Sequence, residues 1–172
     1  MLGGARSGKS LHAEGLLGDG PVTYLATARR DPNDADWEAR IARHVARRPA
    51  IWRTLEPTDL AAALRDASAA DPPLLVDDLA TWLTGVLDDT GGWEGFLDPA
   101  RNACARLVDA IDACRAELVL VSAEVGLGVI PETRSGRLFR DELGALNAAM
   151  AQHCTDVVLL IAGIPLRLKT GR

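Results

Sequence analysis

Five short runs rich in β-branched residues and leucine punctuate the chain: "PVTYLAT" (21–27), "AIWRTL" (50–55), "PLLVDDL" (73–79), "ELVLVS" (117–122) and "DVVLLIAG" (156–163). Between them lie longer stretches of helical periodicity at 34–48, 58–69, 98–116 and 137–153. Strands alternating with helices predict an α/β fold, a mostly parallel sheet with helices on both faces. "LVLVS" shows no polar alternation, as expected of a strand covered on both sides. In 98–116, Ala103, Leu107, Ala110, Ile111 and Cys114 recur at three- and four-residue spacing, which gives one apolar face opposite Arg101, Arg106 and Asp109. The helix at 34–48 runs from an aspartate cap to a proline stop. In it Trp37, Ile41 and Val45 make the expected buried stripe, while Arg40, His44 and Arg48 line the neighbouring face.

Two glycine-rich stretches, 88–99 and 124–136, read as loops, and loops of that length in a small α/β domain tend to be functional. There is no internal repeat. With 172 residues, 48% of them hydrophobic, the chain is expected to form a single domain over 1–172. A net charge of -5 argues against a broad nucleic-acid footprint, so an anionic ligand must be held locally. No leader pattern opens the chain, and the longest apolar run, "VVLLIAGI", is too short to span a bilayer, which points to a cytoplasmic protein. Cys104, Cys114 and Cys154 form no metal or disulfide pattern and are expected to be buried thiols. The three histidines are scattered and suggest no metal cluster among themselves.

Chemistry is concentrated near the start. "GGARSGKS" fits G-x-x-x-x-G-K-[ST] through Gly3, Gly8, Lys9 and Ser10, a match that chance supplies about once in a hundred chains of this length. In such a loop the intervening Gly4, Ala5, Arg6 and Ser7 turn their N–H groups onto phosphate oxygens, and the following helix adds its positive end. Lys9 would reach the terminal phosphates and Ser10 would hold Mg2+. The apolar run ending in Asp77 and Asp78 places a metal-side carboxylate at the carboxyl end of a strand, and Asp77 is the candidate. Only Met1 and Leu2 precede the loop, so its usual strand is expected to be truncated, a slot in the sheet empty, and an apolar segment encoded upstream. His44 between two arginines is expected to stay neutral and nucleophilic, and the same arginines could clamp phosphate.

In order along the chain, "GGARSGKS", "TYLATA", "RIARH" with "RRP" and "WRTLE", "LLVDDLATWL", "EVGLGVIPE", "R-x-FRDELGALN" and "IAGIPLRLK" resemble the bifunctional adenosylcobinamide kinase and adenosylcobinamide-phosphate guanylyltransferase family of cobalamin assembly. The resemblance implies a recombinase-like P-loop fold and a homotrimer. It implies phosphorylation of adenosylcobinamide from ATP or GTP, then transfer of GMP from GTP through a histidine to adenosylcobinamide phosphate. By position in "RI-x-x-H" that histidine is His44. The implied nucleotide contacts are Ala26, Thr27 and Ala28, then Val45, Ala46, Arg47 and Arg48, and then Glu56 and Asp77. The chain departs from the family pattern at Ala123, where Asn is usual, and at the approach "DPNDADW". Two other readings stay open: a different small P-loop kinase with no role for His44, and a nucleotide-binding remnant without turnover.

Overall fold

The computed structural model describes residues 1–171. In chain order its strands are β1 (Leu2–Gly3), β2 (Thr23–Ala26), β3 (Arg53–Leu55), β4 (Leu74–Asp77), β5 (Leu118–Ala123), β6 (Val157–Ile161) and β7 (Ile164–Lys169). They form one seven-stranded sheet in the order β3-β2-β4-β5-β1-β6-β7. All pairings are parallel except β6 with β7. The helices are α1 (Lys9–Leu16), α2 (Ala35–Arg47), α3 (Leu60–Asp66), α4 (Leu79–Thr90), α5 (Leu97–Ala113) and α6 (Arg134–His153). Parallel strands force crossovers, and the crossover helices supply the layers over the sheet.

Those layers are unequal. Leu74 and Val76 of β4 point into the larger core with Leu83, Leu107 and Leu143, beneath α3 to α6. Leu75 points the other way, into a small cluster with Ala13, Tyr24, Trp52 and Val121, beneath α1. Period-two alternation therefore puts Asp77 on the thinly covered face that α1 and Tyr24 share. Helix α2 also lies on that side and buries no residue, although its cap is sound: Asp34 accepts from the Trp37 N–H at 2.9 Å.

Several sequence expectations need correction. The central slot is not empty, although its strand is as short as expected: the two residues of β1, Leu2 and Gly3, register with Ser122 and Ala123 on one side and with Leu159 and Leu160 on the other. The Met1 ammonium donates to the Leu120 carbonyl at 2.6 Å, and a cavity of only about 40 Å³ remains beneath it. The expected 88–99 loop is partly ordered, with α4 reaching Thr90, a 3-10 turn at Gly92–Glu94, and α5 starting at Leu97. The second loop ends earlier, since Thr133 caps α6. Beyond "DVVLLIAG" the chain turns back as β7 through Ala162 and Gly163, both at positive φ (52° and 79°), the conformation that tight hairpins need. All three thiols are half-buried rather than buried. On α5 the apolar face holds, with Leu107, Ala110 and Ile111 buried and Arg101, Arg106 and Asp109 exposed.

Candidate functional site

The carboxyl ends of β1, β2 and β4 meet along one edge of the sheet, where open α/β sheets bind ligands. From β1 the chain curls through Gly4 to Gly8 into α1. Gly8 sits at φ 89°, and Arg6 takes a left-handed φ of 56°, so the loop is coiled tightly. Gly3 is required at its base, because a Cβ there would fall on Ser7 Oγ and 3.0 Å from the Leu160 carbonyl oxygen. No side chain caps α1, so its first N–H groups stay free for an anion. Lys9 is buried at the helix start.

Beside the loop opens a cleft of about 380 Å³ between the sheet edge, α1 and α2. Asp77 forms its floor. Its Oδ2 accepts from the Tyr24 hydroxyl at 2.7 Å, its Oδ1 accepts from Ser10 Oγ at 3.2 Å, and His44 Nδ1 stands 3.6 Å from Oδ2. Burial pushes the Asp77 carboxyl up, but His44, Tyr24 and Ser10 together outweigh it and hold the group below the usual carboxylate range. Burial, and then the Asp77 charge, push the Tyr24 phenol upward, so it remains a donor. The Arg48 guanidinium lies 3.5 Å from the Tyr24 ring centroid and donates to Thr54 Oγ1 at 3.0 Å. The peptide joining Asp77 to Asp78 is cis, and Asp78 caps α4 through the Thr81 N–H.

Two expectations about α2 change here. Trp37, Ile41 and Val45 form a stripe that lines the cleft instead of entering the core, because α2 stands off the sheet. His44 is not governed by flanking arginines: Arg48 is drawn onto Tyr24 and Arg40 lies over Trp37, 5.9 Å from its ring centroid. The charged group close to its imidazole is Asp77. Nδ1 is the ring nitrogen turned to that carboxylate, at 3.6 Å, so Nε2 is the nitrogen on the far side of the ring from it.

Of the residues singled out from sequence, Lys9, Ser10, His44, Val45 and Arg48 line the cleft, as do Ala26, Ala28, Glu56 and Asp77. The others stand elsewhere. Gly3, Gly4, Ala5, Ser7 and Gly8 build the loop beside the cleft, and Arg6 faces a separate hollow. Thr27 Oγ1 donates to the Asp78 carbonyl at 2.6 Å, which ties β2 to β4. Ala46 is exposed, and Arg47 reaches back to Glu14 at 2.9 Å. Sequence reading missed Tyr24 and Thr54, since nothing local marks a strand tyrosine as the partner of a distant aspartate. It also missed Glu14, whose carboxylate gathers with His44 and Asp77 so that one ligand atom of each lies within 4.8 Å of the others. The donor set fits Mg2+: the Ser10 hydroxyl beside the buried Asp77 carboxylate offers hard oxygens, as that ion prefers. At Ala123, where the family pattern has Asn, the backbone carbonyl accepts from Asn147 Nδ2 at 3.0 Å. No helix among the described residues is long and apolar enough to cross a membrane.

Residues 1–168 match the CobU family, described as cobinamide kinase / cobinamide phosphate guanyltransferase. The chain is 45% identical over 174 residues to the bifunctional adenosylcobalamin biosynthesis protein CobP of Pseudomonas aeruginosa, covering 98% of this chain and 95% of that protein. It is 39% identical over 182 residues to the protein of that description, CobU, from Salmonella typhimurium, and 38% over 179 residues to CobU of Escherichia coli. Coverage is 98% of both partners in each of these two alignments.

Proposed function

The chain belongs to the family of cobinamide kinases / cobinamide phosphate guanyltransferases, and on that premise we propose that its one catalytic domain, 1–172, performs both steps in the cleft beside the phosphate loop. The observation that carries this reading is that a single carboxylate, Asp77, touches Ser10 of the loop and faces the imidazole of His44. A phosphate-binding device and a nucleophile thus share one floor.

In the first step the loop N–H groups and Lys9 hold the triphosphate of ATP or GTP while the hydroxyl of adenosylcobinamide attacks the γ-phosphorus: a P–O bond forms, the β–γ bridging P–O bond breaks, the nucleoside diphosphate leaves and the hydroxyl proton passes to solvent. Ser10 and Asp77 would hold Mg2+, which when bound neutralises charge on the phosphate oxygens. In the second step His44 Nε2 attacks the α-phosphorus of GTP: a P–N bond forms, the α–β bridging P–O bond breaks and pyrophosphate leaves. An oxygen of adenosylcobinamide phosphate then attacks the same phosphorus, the P–N bond breaks, and the imidazole returns to its neutral form. Throughout, Asp77 keeps the Nδ1 proton in place, and Arg48 and Lys9 offset developing charge. The stripe of Trp37, Ile41 and Val45, with Glu56 at the rim, gives the base and ribose an amphipathic wall.

The reading extends to a homotrimer working in the cytoplasm. On β7 the apolar residues Ile164, Leu166 and Leu168 alternate along one face and stand exposed, which supplies a surface for contact with another subunit. Separate assays of the two half-reactions test the function. Lys9→Ala is expected to slow phosphoryl transfer about a hundredfold, the effect of losing one preorganised charge donor. His44→Ala is expected to abolish guanylyl transfer while cobinamide phosphorylation continues. Guanylyl transfer that persists in His44→Ala contradicts the reading and favours a plain kinase.

A further inference from the structure

A second hollow, of about 440 Å³, lies against the outer side of α2, and Arg6, Arg40 and Arg43 wall it together with Asp34, Asp36 and Trp37. Such a cluster stands out in a chain with 19 Lys and Arg against 24 Asp and Glu. Four surface arginines pair with carboxylates, Arg29 with Asp89, Arg30 with Glu38, Arg47 with Glu14 and Arg101 with Glu142, and what distinguishes Arg6, Arg40 and Arg43 from the rest is that they converge on one hollow. Among the described residues Arg6, Arg40 and Arg43 make no ion pair. Asp34 and Asp36 line the same hollow and offset part of the charge, but neither forms an ion pair with the three arginines, and Asp34 Oδ1 accepts from the Trp37 N–H at 2.9 Å.

Two features tie the hollow to the reaction. Arg6 belongs to the phosphate loop, yet its left-handed backbone accompanies a side chain that lines the hollow and not the cleft. Trp37 and Arg40 line both cavities, so the hollow adjoins the space that holds His44. Three guanidiniums against two carboxylates leave the hollow net positive, which favours an entering anion, and their planar forks match phosphate oxygens bidentately.

We propose that Arg6, Arg40 and Arg43 form a second phosphate site, separate from the N–H groups of the phosphate loop, that receives a phosphoryl dianion of the guanylyl-transfer step. This rests on the guanylyl-histidine reading above. Two species carry that chemistry: the pyrophosphate leaving GTP, and the phosphate monoester of the acceptor.

Calorimetric titration with pyrophosphate tests the site itself. It is done on the full-length Lys9→Ala protein, where the phosphate loop competes less, with and without Arg43→Ala or Arg43→Lys. Arg43→Ala should weaken binding about tenfold, the loss expected for a charge-assisted hydrogen bond, and Arg43→Lys less. Equal isotherms with and without Arg43 overturn the site, whether or not His44 is guanylylated. The source is decided on guanylylated protein with an otherwise wild-type loop. A pyrophosphate chase breaks the P–N bond and reforms the P–O bond of GTP; an acceptor-phosphate chase breaks it to form product. Arg43→Ala slowing the pyrophosphate chase more than the acceptor chase identifies pyrophosphate as the occupant, and the opposite pattern identifies the acceptor. If neither chase slows, the assigned role falls. If wild-type protein forms no guanylyl-histidine at all, the parent reading fails and the titration alone judges the site.

Discussion

Replacing Tyr24 with Phe removes one hydroxyl and little else. The phenol donates to Asp77 Oδ2 at 2.7 Å, and both groups are buried. Phe keeps the ring, and with it the face on which the Arg48 guanidinium rests. A hydrogen bond to a charged group contributes about 1.5–3 kcal/mol, so Tyr24→Phe should destabilise the fold by about that amount at pH 7. For a chain of this size the melting temperature should fall roughly 3–12 °C. The effect should depend on pH in a defined direction. Asp77 is depressed below its unfolded value, so its charged contacts stabilise the fold fully above about pH 4 and are lost as pH falls through the folded value. Once the carboxyl is protonated, only a neutral hydrogen bond of about 1 kcal/mol separates the two proteins. The remainder, about 0.5–2 kcal/mol, goes with an upward shift of the Asp77 carboxyl when the hydroxyl is absent. Denaturant titrations of both proteins from pH 3 to pH 8 measure this. A destabilisation near zero at pH 7, or one that grows as the solution is acidified, refutes the assignment of Asp77 as a charged group held by Tyr24.

Gly3→Ala should destabilise the chain by about 1–3 kcal/mol, because the new methyl group has no room beside Ser7 Oγ and the Leu160 carbonyl; an unchanged denaturation midpoint would show that the loop base yields. The Cys104 thiol, pushed up to about 11 by burial and then by Glu142, should react with iodoacetamide at pH 8 about two hundredfold more slowly than an unperturbed thiol. Its rate should climb as pH rises toward 11, and labelling as fast as in denatured protein at pH 8 would contradict the burial.

What the sequence disclosed was periodicity and local chemistry. The tight glycine-rich loop entering α1, the Asp34 cap and the strand ending at Asp77 depend on near neighbours, and all three appear in the structure. Helix α4 was hidden because its apolar "LATWL" runs on from the β4 strand and Gly85 interrupts its interior. That glycine accommodates Arg29, whose Nε would lie 2.8 Å from a Cβ there. Strand β7 was hidden because an Ala-Gly turn is a weak hairpin signal and the strand faces solvent along its whole length. The error at α2 has a different origin. A stripe at four-residue spacing fixes which side of a helix is apolar, but not whether that side meets a core or a cleft. For the same reason the neighbour of His44 was misjudged: Arg40 and Arg48 are close in sequence, whereas Asp77 arrives through the parallel pairing of β2 with β4 and the side on which α2 packs.

The most direct test of the central claim follows GTP labelled at the α-phosphate. The protein is incubated with it and Mg2+, denatured, challenged with acid and with base, and digested to locate the label. We expect label on the peptide containing His44, labile to acid and stable to base, absent from His44→Ala, and discharged when adenosylcobinamide phosphate is added. Folded protein that transfers GMP to the acceptor without such a label, or that carries the label on another residue, would contradict the account.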